Sequence, residues 1–286
     1  MNKVIDGLGV AFRVLLALFL FTAIQVAAIG LFRLFGLDTD VYKGLLSVSY
    51  GLAVIAAFLI YSAVRSYKRD QFIRLERQNP LNVFSAIVIG FGLLGLVVVY
   101  MYFAAKLSYI FESMQEDLAE YSERVDRFTA MDSKQVPYWD SLLDFVSSFL
   151  IIPLAEELTF RGVVFGELAG KMNHILAAFL SALIFGLFHG ISVHIGYALI
   201  CGFVLALTYY YSGSLIISFL IHSIFNLVGT SVFTLLDSGI FGDLSSFTYS
   251  SRFIMSVFEV ICIIPGTAGF MLIYVLYNQK KEEAAS

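Results

Sequence analysis

The chain has 286 residues, 59% of them hydrophobic and only 14% charged, against about 25% charged in an average soluble domain. Lys and Arg total 18, Asp and Glu 22, for a net charge of −4, and mean hydropathy is +0.85. These values exclude a disordered or collagen-like chain, an ordinary soluble enzyme and a nucleic-acid binder; they leave an all-α polytopic membrane protein with little mass outside the lipid bilayer.

A bilayer core of about 30 Å needs roughly 20 apolar residues per helix. In lipid the backbone must satisfy its own hydrogen bonds, so long apolar runs become helices. Eight spans are predicted, at Val14–Phe32, Gly44–Val64, Val83–Ala105, Leu142–Gly166, Ile175–Gly190, Ile195–Tyr211, Leu215–Leu236 and Phe253–Tyr277. Val26-Ala27-Ala28 resembles a signal-peptidase site, but the run from Val14 is as long as a full span and is read as a membrane helix. The short fifth and sixth spans are expected to form a tight pair broken near Gly190–His194, and Pro265 should kink the last helix. No repeat, linker or low-complexity segment divides the chain, so 1–286 is read as one domain. Cys201 and Cys262 both lie in apolar runs and suggest no disulfide framework.

Orientation follows from Lys/Arg asymmetry. The segment after the second span is basic, with Arg65, Lys68, Arg69, Arg74 and Arg77 against Asp70 and Glu76. With Tyr67, Phe72 and Leu75 interleaved, it reads either as a contact for anionic headgroups or as a solvated loop. The segment after the third span is acidic, with Glu112, Glu116, Asp117, Glu120, Glu123 and Asp126, and the tail carries Lys280 and Lys281. Both termini are therefore expected in the cytoplasm, with Tyr209–Tyr211 at the inner interface. Leu107, Phe111, Met114, Leu118, Tyr121, Val125 and Phe128 make a heptad-like stripe over 107–128. The favoured reading is that the third span continues out of the membrane; a lid or a partner-binding helix is the alternative.

Charges at mid-membrane cost about 2.5–3.5 kcal/mol each on the insertion scale, so those retained need a reason. The fourth span reads Glu156-Glu157-Leu158-Thr159-Phe160-Arg161-Gly162. Glu157 and Arg161 are i,i+4 and share a helix face, which gives Glu157 a built-in counter-ion and leaves Glu156 free for chemistry. The fifth span ends Phe185-x-x-x-His189, and the seventh carries His222-x-x-x-Asn226, again one turn apart. Glutamate, two histidines and an amide on three helices point to water activation or to a metal. Glu156, His189 and His222 are ligand types suited to zinc with an open fourth position, although no His-Glu-x-x-His is present.

These three ordered motifs resemble those of the CPBP family, the CAAX prenyl endopeptidases and bacteriocin-processing or immunity proteins, also called Abi. The resemblance covers about residues 142–230, the expected catalytic core. It implies an intramembrane endopeptidase acting on a peptide or membrane-anchored protein in a bacterial plasma membrane. On that resemblance Glu156 is the base that activates water and His189 positions or polarises it. His222 and Asn226 donate to the tetrahedral oxyanion, and Arg161 holds Glu157. A metal-free glutamate mechanism is favoured over zinc. The site is expected in a polar cavity open to the cytoplasm or laterally to lipid. Helical rise places Glu156 and His222 at ~9 and ~11 Å from the inner boundary but His189 at ~21 Å, unless its helix starts below the membrane near Lys171 or tilts.

Two other function classes remain open: a catalytically silent regulator that binds a membrane protein partner on the same scaffold, and an ion-coupled transporter using Glu156, His189 and Glu259. The missing half-to-half symmetry weighs against transport. Glu259 is otherwise read as structural, paired with a group such as Thr230. His174 is read as interfacial, Glu167 as facing the inner interface, and His194 as a turn residue with a supporting role at the site possible.

Overall fold

The computed structural model describes residues 2–66, 73–129, 136–190, 192–237 and 245–286. Every described element is helical apart from one isolated backbone bridge, Leu75 to Ser214. All eight predicted apolar stretches fall on helix. They lie on α1 (Asn2–Leu34), α2 (Lys43–Ser66), α3 (Pro80–Leu107), α5 (138–169), α6 (His174–Phe188), α7 (Ser192–Ser212), α8 (215–237), and the pair α9 (Ser245–Ile261) and α10 (Ile263–Glu283); α4 (Glu112–Thr129) is the acidic helix. Five described helices are long and apolar enough to cross a bilayer, six with the bent α9–α10 pair. The chain is a multi-pass membrane protein, and the exact count of eight crossings is not reached by this measure. α6 is too short at 15 residues, and α5 is interrupted by wide π-helical turns at Ser147–Ile151 and Glu157–Phe165.

The breaks have local causes. A proline cannot donate to a helix ladder and its ring crowds the carbonyl four residues back. Pro265 does this to Ile261, and α9 bends into α10 by 44° at Cys262. Between α6 and α7 the backbone turns at Gly190 with φ +78°, a conformation that costs glycine nothing. The third span ends at Leu107, and α4 starts separately after a turn at 108–111. The 107–128 stripe is therefore not one continuous helix; Tyr121, Val125 and Phe128 are outside the described side chains. Of the basic segment, Tyr67, Lys68, Arg69, Asp70 and Phe72 lie outside the described residues.

Polar groups lock the apolar rods together. The first N–H groups of a helix have no partner within it. Here Asp140, buried on α5, takes those of Gly44 and Leu45 at the start of α2, both at 2.8 Å. α2 can come this close because residue 44 is glycine: a Cβ would stand 2.5 Å from the amide nitrogen of Asp144. At the other end of α5, Glu167 does not face the interface as expected. It is 1% exposed, with Oε2 at 2.8 Å from Arg13 Nε and Oε1 at 2.6 Å from Arg65 Nη2. One carboxylate thus ties α1 and α2 to α5. α3 and α10 meet through small residues, Gly92 against Gly266, the close backbone approach typical of packing in lipid. Leu8, Phe12, Leu15 and Phe19 along α1 are exposed and suited to lipid.

Candidate active site

The site grows from a break in α5. In the π-helical turn the N–H of Ile152 bonds the carbonyl of Ser147, five residues back. By that register the carbonyl of Ser148 would await residue 153, which is a proline with no N–H. α8 supplies the missing donors. Asn226 Nδ2 donates to the Ser148 carbonyl at 2.9 Å, and Ser223 Oγ donates to the Phe149 carbonyl at 2.6 Å. Ser148 and Ser231 hydroxyls meet at 2.8 Å, and Ser231 also donates to the Asn226 carbonyl. The seam holds α8 against α5 about two turns before Glu156.

The second wide turn begins at Glu157, and such turns recur at functional sites. Glu157 is fully buried, with Oε1 at 2.8 Å from Arg161 Nη1 as the i,i+4 spacing predicts. Arg161 also donates to the Gly202 carbonyl at 3.4 Å, and its guanidinium lies 4.5 Å over the Phe185 ring. His222 joins the two glutamates. Its Nδ1 is 2.9 Å from Glu157 Oε1, and its Nε2 is 3.5 Å from Glu156 Oε2. The two carboxylates hold opposite edges of one imidazole.

His189 caps the end of α6. Its Nδ1 is 2.8 Å from the Phe185 carbonyl, and a carbonyl only accepts, so Nδ1 carries the hydrogen and Nε2 is left for a water. His194 packs on it, with ring centroids 4.6 Å apart, and stacks in turn on Tyr197 at 4.7 Å. Sequence reasoning treated His194 as a turn residue. Its place five residues beyond His189, across a glycine turn, was the available signal.

Glu156, His189, His222 and Asn226 all line one cavity of about 260 Å3, together with His194 and Thr230. Glu157 and Arg161 stand behind His222, outside the lining. The structure therefore brings together the four groups that the motifs had placed on three helices. α6 starts at His174, just past Lys171. Glu259 is buried on α9 beneath the close approach of Gly95 and is not in the lining. The lining reaches from Leu205 and His222, within α7 and α8, to His194 near the start of α7 and to Ser231 of α8. Among the described residues no three His, Cys, Asp or Glu side chains converge as a metal-ligand set.

Residues 138–228 match the family model of type II CAAX prenyl endopeptidases, Rce1-like. The match covers the whole of the glutamate, histidine and asparagine geometry. That match is consistent with the resemblance of residues 142–230 to the CPBP family. A curated relative, the UPF0177 protein YxdF of Lactococcus lactis subsp. lactis (strain IL1403), is 37% identical over 90 residues, 31% of this chain and 49% of that protein. The chain spans about half the length of that relative. No solved structure matches. The matched residues begin at the start of α5 and end within α8. α1, α2 and α3 lie before them, and α9 and α10 after them.

Proposed function

We propose that this chain is an intramembrane endopeptidase in which Glu156 activates water against a peptide bond of a peptide or membrane-anchored protein. The observation that carries the reading is the shared cavity, where Glu156 meets His222 beside His189 and Asn226.

The charges behind the cavity support it. Glu156 and Glu157 contribute two negative charges and Arg161 one positive. A single proton on the His222–Glu156 pair makes the cluster neutral, which is the arrangement a low-dielectric interior favours. With the proton on His222, Nδ1–H donates to Glu157 and Nε2–H faces Glu156, which stays an open carboxylate able to take a proton from water. His189 Nε2 accepts the water's second hydrogen and aims its lone pair. As hydroxide adds to the scissile carbonyl, negative charge grows on its oxygen. His222 Nε2–H and the second N–H of Asn226 are the donors for it; the first N–H of Asn226 is held by Ser148. The proton on Glu156 then goes to the departing amine. General acid–base help of this kind contributes roughly 10²–10⁴-fold, and one oxyanion donor about 2.7–4 kcal/mol.

The reading is metal-free, and it places the acidic end outside a bacterial plasma membrane. The deciding experiment compares membrane-peptide profiles of cells carrying wild type or Glu156→Gln at equal membrane levels. Peptides that accumulate only with the variant, or products present only with wild type, are expected. Identical profiles combined with an unchanged phenotype in Glu156→Ala and His189→Ala strains would sink catalysis and leave a silent, partner-binding regulator.

A further inference from the structure

A second cavity, of about 490 Å3, lies at the opposite end of the bundle from the active-site cavity. Four cations line it: Arg74 and Arg77 from the segment before α3, and Lys280 and Lys281 from the last turns of α10. Its anions are Glu76, which already pairs with Lys280, and Glu283. Arg74 is held in place. Its guanidinium carbon lies 5.6 and 5.3 Å from the centroids of Tyr209 and Tyr210, and its Nη2 donates to the Tyr210 carbonyl at 3.4 Å. Leu276 and the rings of Tyr210, Tyr211 and Tyr277 form its apolar wall.

The level of this cavity in the bundle identifies the ligand. α3 begins here, capped by Asn79 and followed by Pro80; α7 ends here at Ser212; α10 passes here from apolar residues into Gln279, Lys280 and Lys281. Hydrocarbon-facing surface gives way to polar surface at one height. Tyr210 and Tyr277, with rings 5.7 Å apart, stand at that height as membrane-interface aromatics do. A free anion would have no use for the apolar wall, whereas a lipid presents a phosphate and the start of its acyl chains together.

We propose that this cavity binds the phosphate headgroup of an anionic phospholipid. Arg77 and Lys281 contact the phosphate, the oriented Arg74 backs them, and Leu276 with the Tyr277 ring takes the first methylenes. The site is independent of the endopeptidase reading. Bound lipid would bridge the segment before α3 to the end of α10, two parts of the chain that flank residues 138–228.

The test is native mass spectrometry of the full chain in detergent, titrated with phosphatidylglycerol or phosphatidylcholine. Wild type is expected to retain phosphatidylglycerol at least about tenfold better. Each basic contact at a membrane surface is worth about fivefold, so Arg77→Ala/Lys281→Ala should bind it about twenty-five-fold more weakly. The charge-keeping Arg77→Lys/Lys281→Arg pair should recover most of that. Lys281→Glu alone, at an exposed position, repeats the test with one change. Equal retention of the two lipids, or an unchanged preference in both the double alanine and Lys281→Glu variants, overturns the proposal. Displacement of the lipid by millimolar inorganic phosphate, with phosphate alone binding as tightly, overturns it in favour of a soluble anion.

Discussion

The side-chain amide of Asn226 donates to the carbonyl of Ser148 at 2.9 Å, across 78 residues of sequence. The contact exists because Pro153 withholds the N–H that the wide turn of α5 would otherwise direct at that oxygen. An asparagine placed by its motif in the chemistry thus has a structural duty as well. Removing it leaves a half-buried carbonyl without its side-chain donor, a loss of up to about 1–3 kcal/mol. Asn226→Ala should lower stability by that amount in reversible unfolding. In a Pro153→Ala background the cost should shrink, because the backbone regains its own donor. A double-mutant cycle with no coupling between the two positions would contradict this account.

Glu156→Gln keeps the shape of the side chain and removes the base. Cleavage should fall by roughly 10²–10⁴-fold with thermal stability close to wild type, since Glu156 borders the cavity and Glu157 carries the buried ion pair. Exhaustive chelation should leave wild-type cleavage intact. Activity lost to chelator and restored by zinc alone would reverse the metal-free mechanism.

Arg161→Met acts in another way. It strands Glu157 in a fully buried position, and breaking a buried ion pair costs about 3–5 kcal/mol. The variant should be poorly folded and should disappear from membranes. Glu157→Gln/Arg161→Met should recover part of the stability without recovering cleavage, because His222 loses the carboxylate that orients it. A double variant as unstable as the single one would show that the lost charge is not the cause.

Glu167 offers a control outside the cavity. Glu167→Ala leaves Arg13 and Arg65 facing each other, so α1 and α2 should loosen from α5. Proteolytic nicking between α1 and α2 should rise severalfold, while cleavage per folded molecule should stay within about twofold. Unchanged protection of that connection would mean that the carboxylate does not hold these helices.

Much of the fold was written in the composition. Runs near 20 apolar residues must become helix in lipid, because nothing there can satisfy an open backbone, and all eight runs did. The i,i+4 pair of Glu157 and Arg161 was legible for the same reason, since helical spacing alone places the two side chains together. The kink was legible from Pro265, though the backbone absorbed it earlier, at Cys262. Other features were hidden. Glu167 looked like an interfacial residue because its partners, Arg13 and Arg65, lie more than 100 residues away in the chain. The stripe over 107–128 suggested continuity because a heptad pattern does not register the turn at 108–111.

The sequence by itself determined which side chains had to be accounted for: a few charged and polar groups on apolar rods are costly wherever they point, so their presence marks a site. Only the tertiary structure decided how they are shared. His222 reaching both glutamates, Asn226 closing the gap left by Pro153, and one cavity gathering Glu156, His189, His222 and Asn226 each depend on the rotation and depth of one helix against another. Periodicity fixes a residue's angle on its own helix, and leaves packing between helices to set which neighbour it meets.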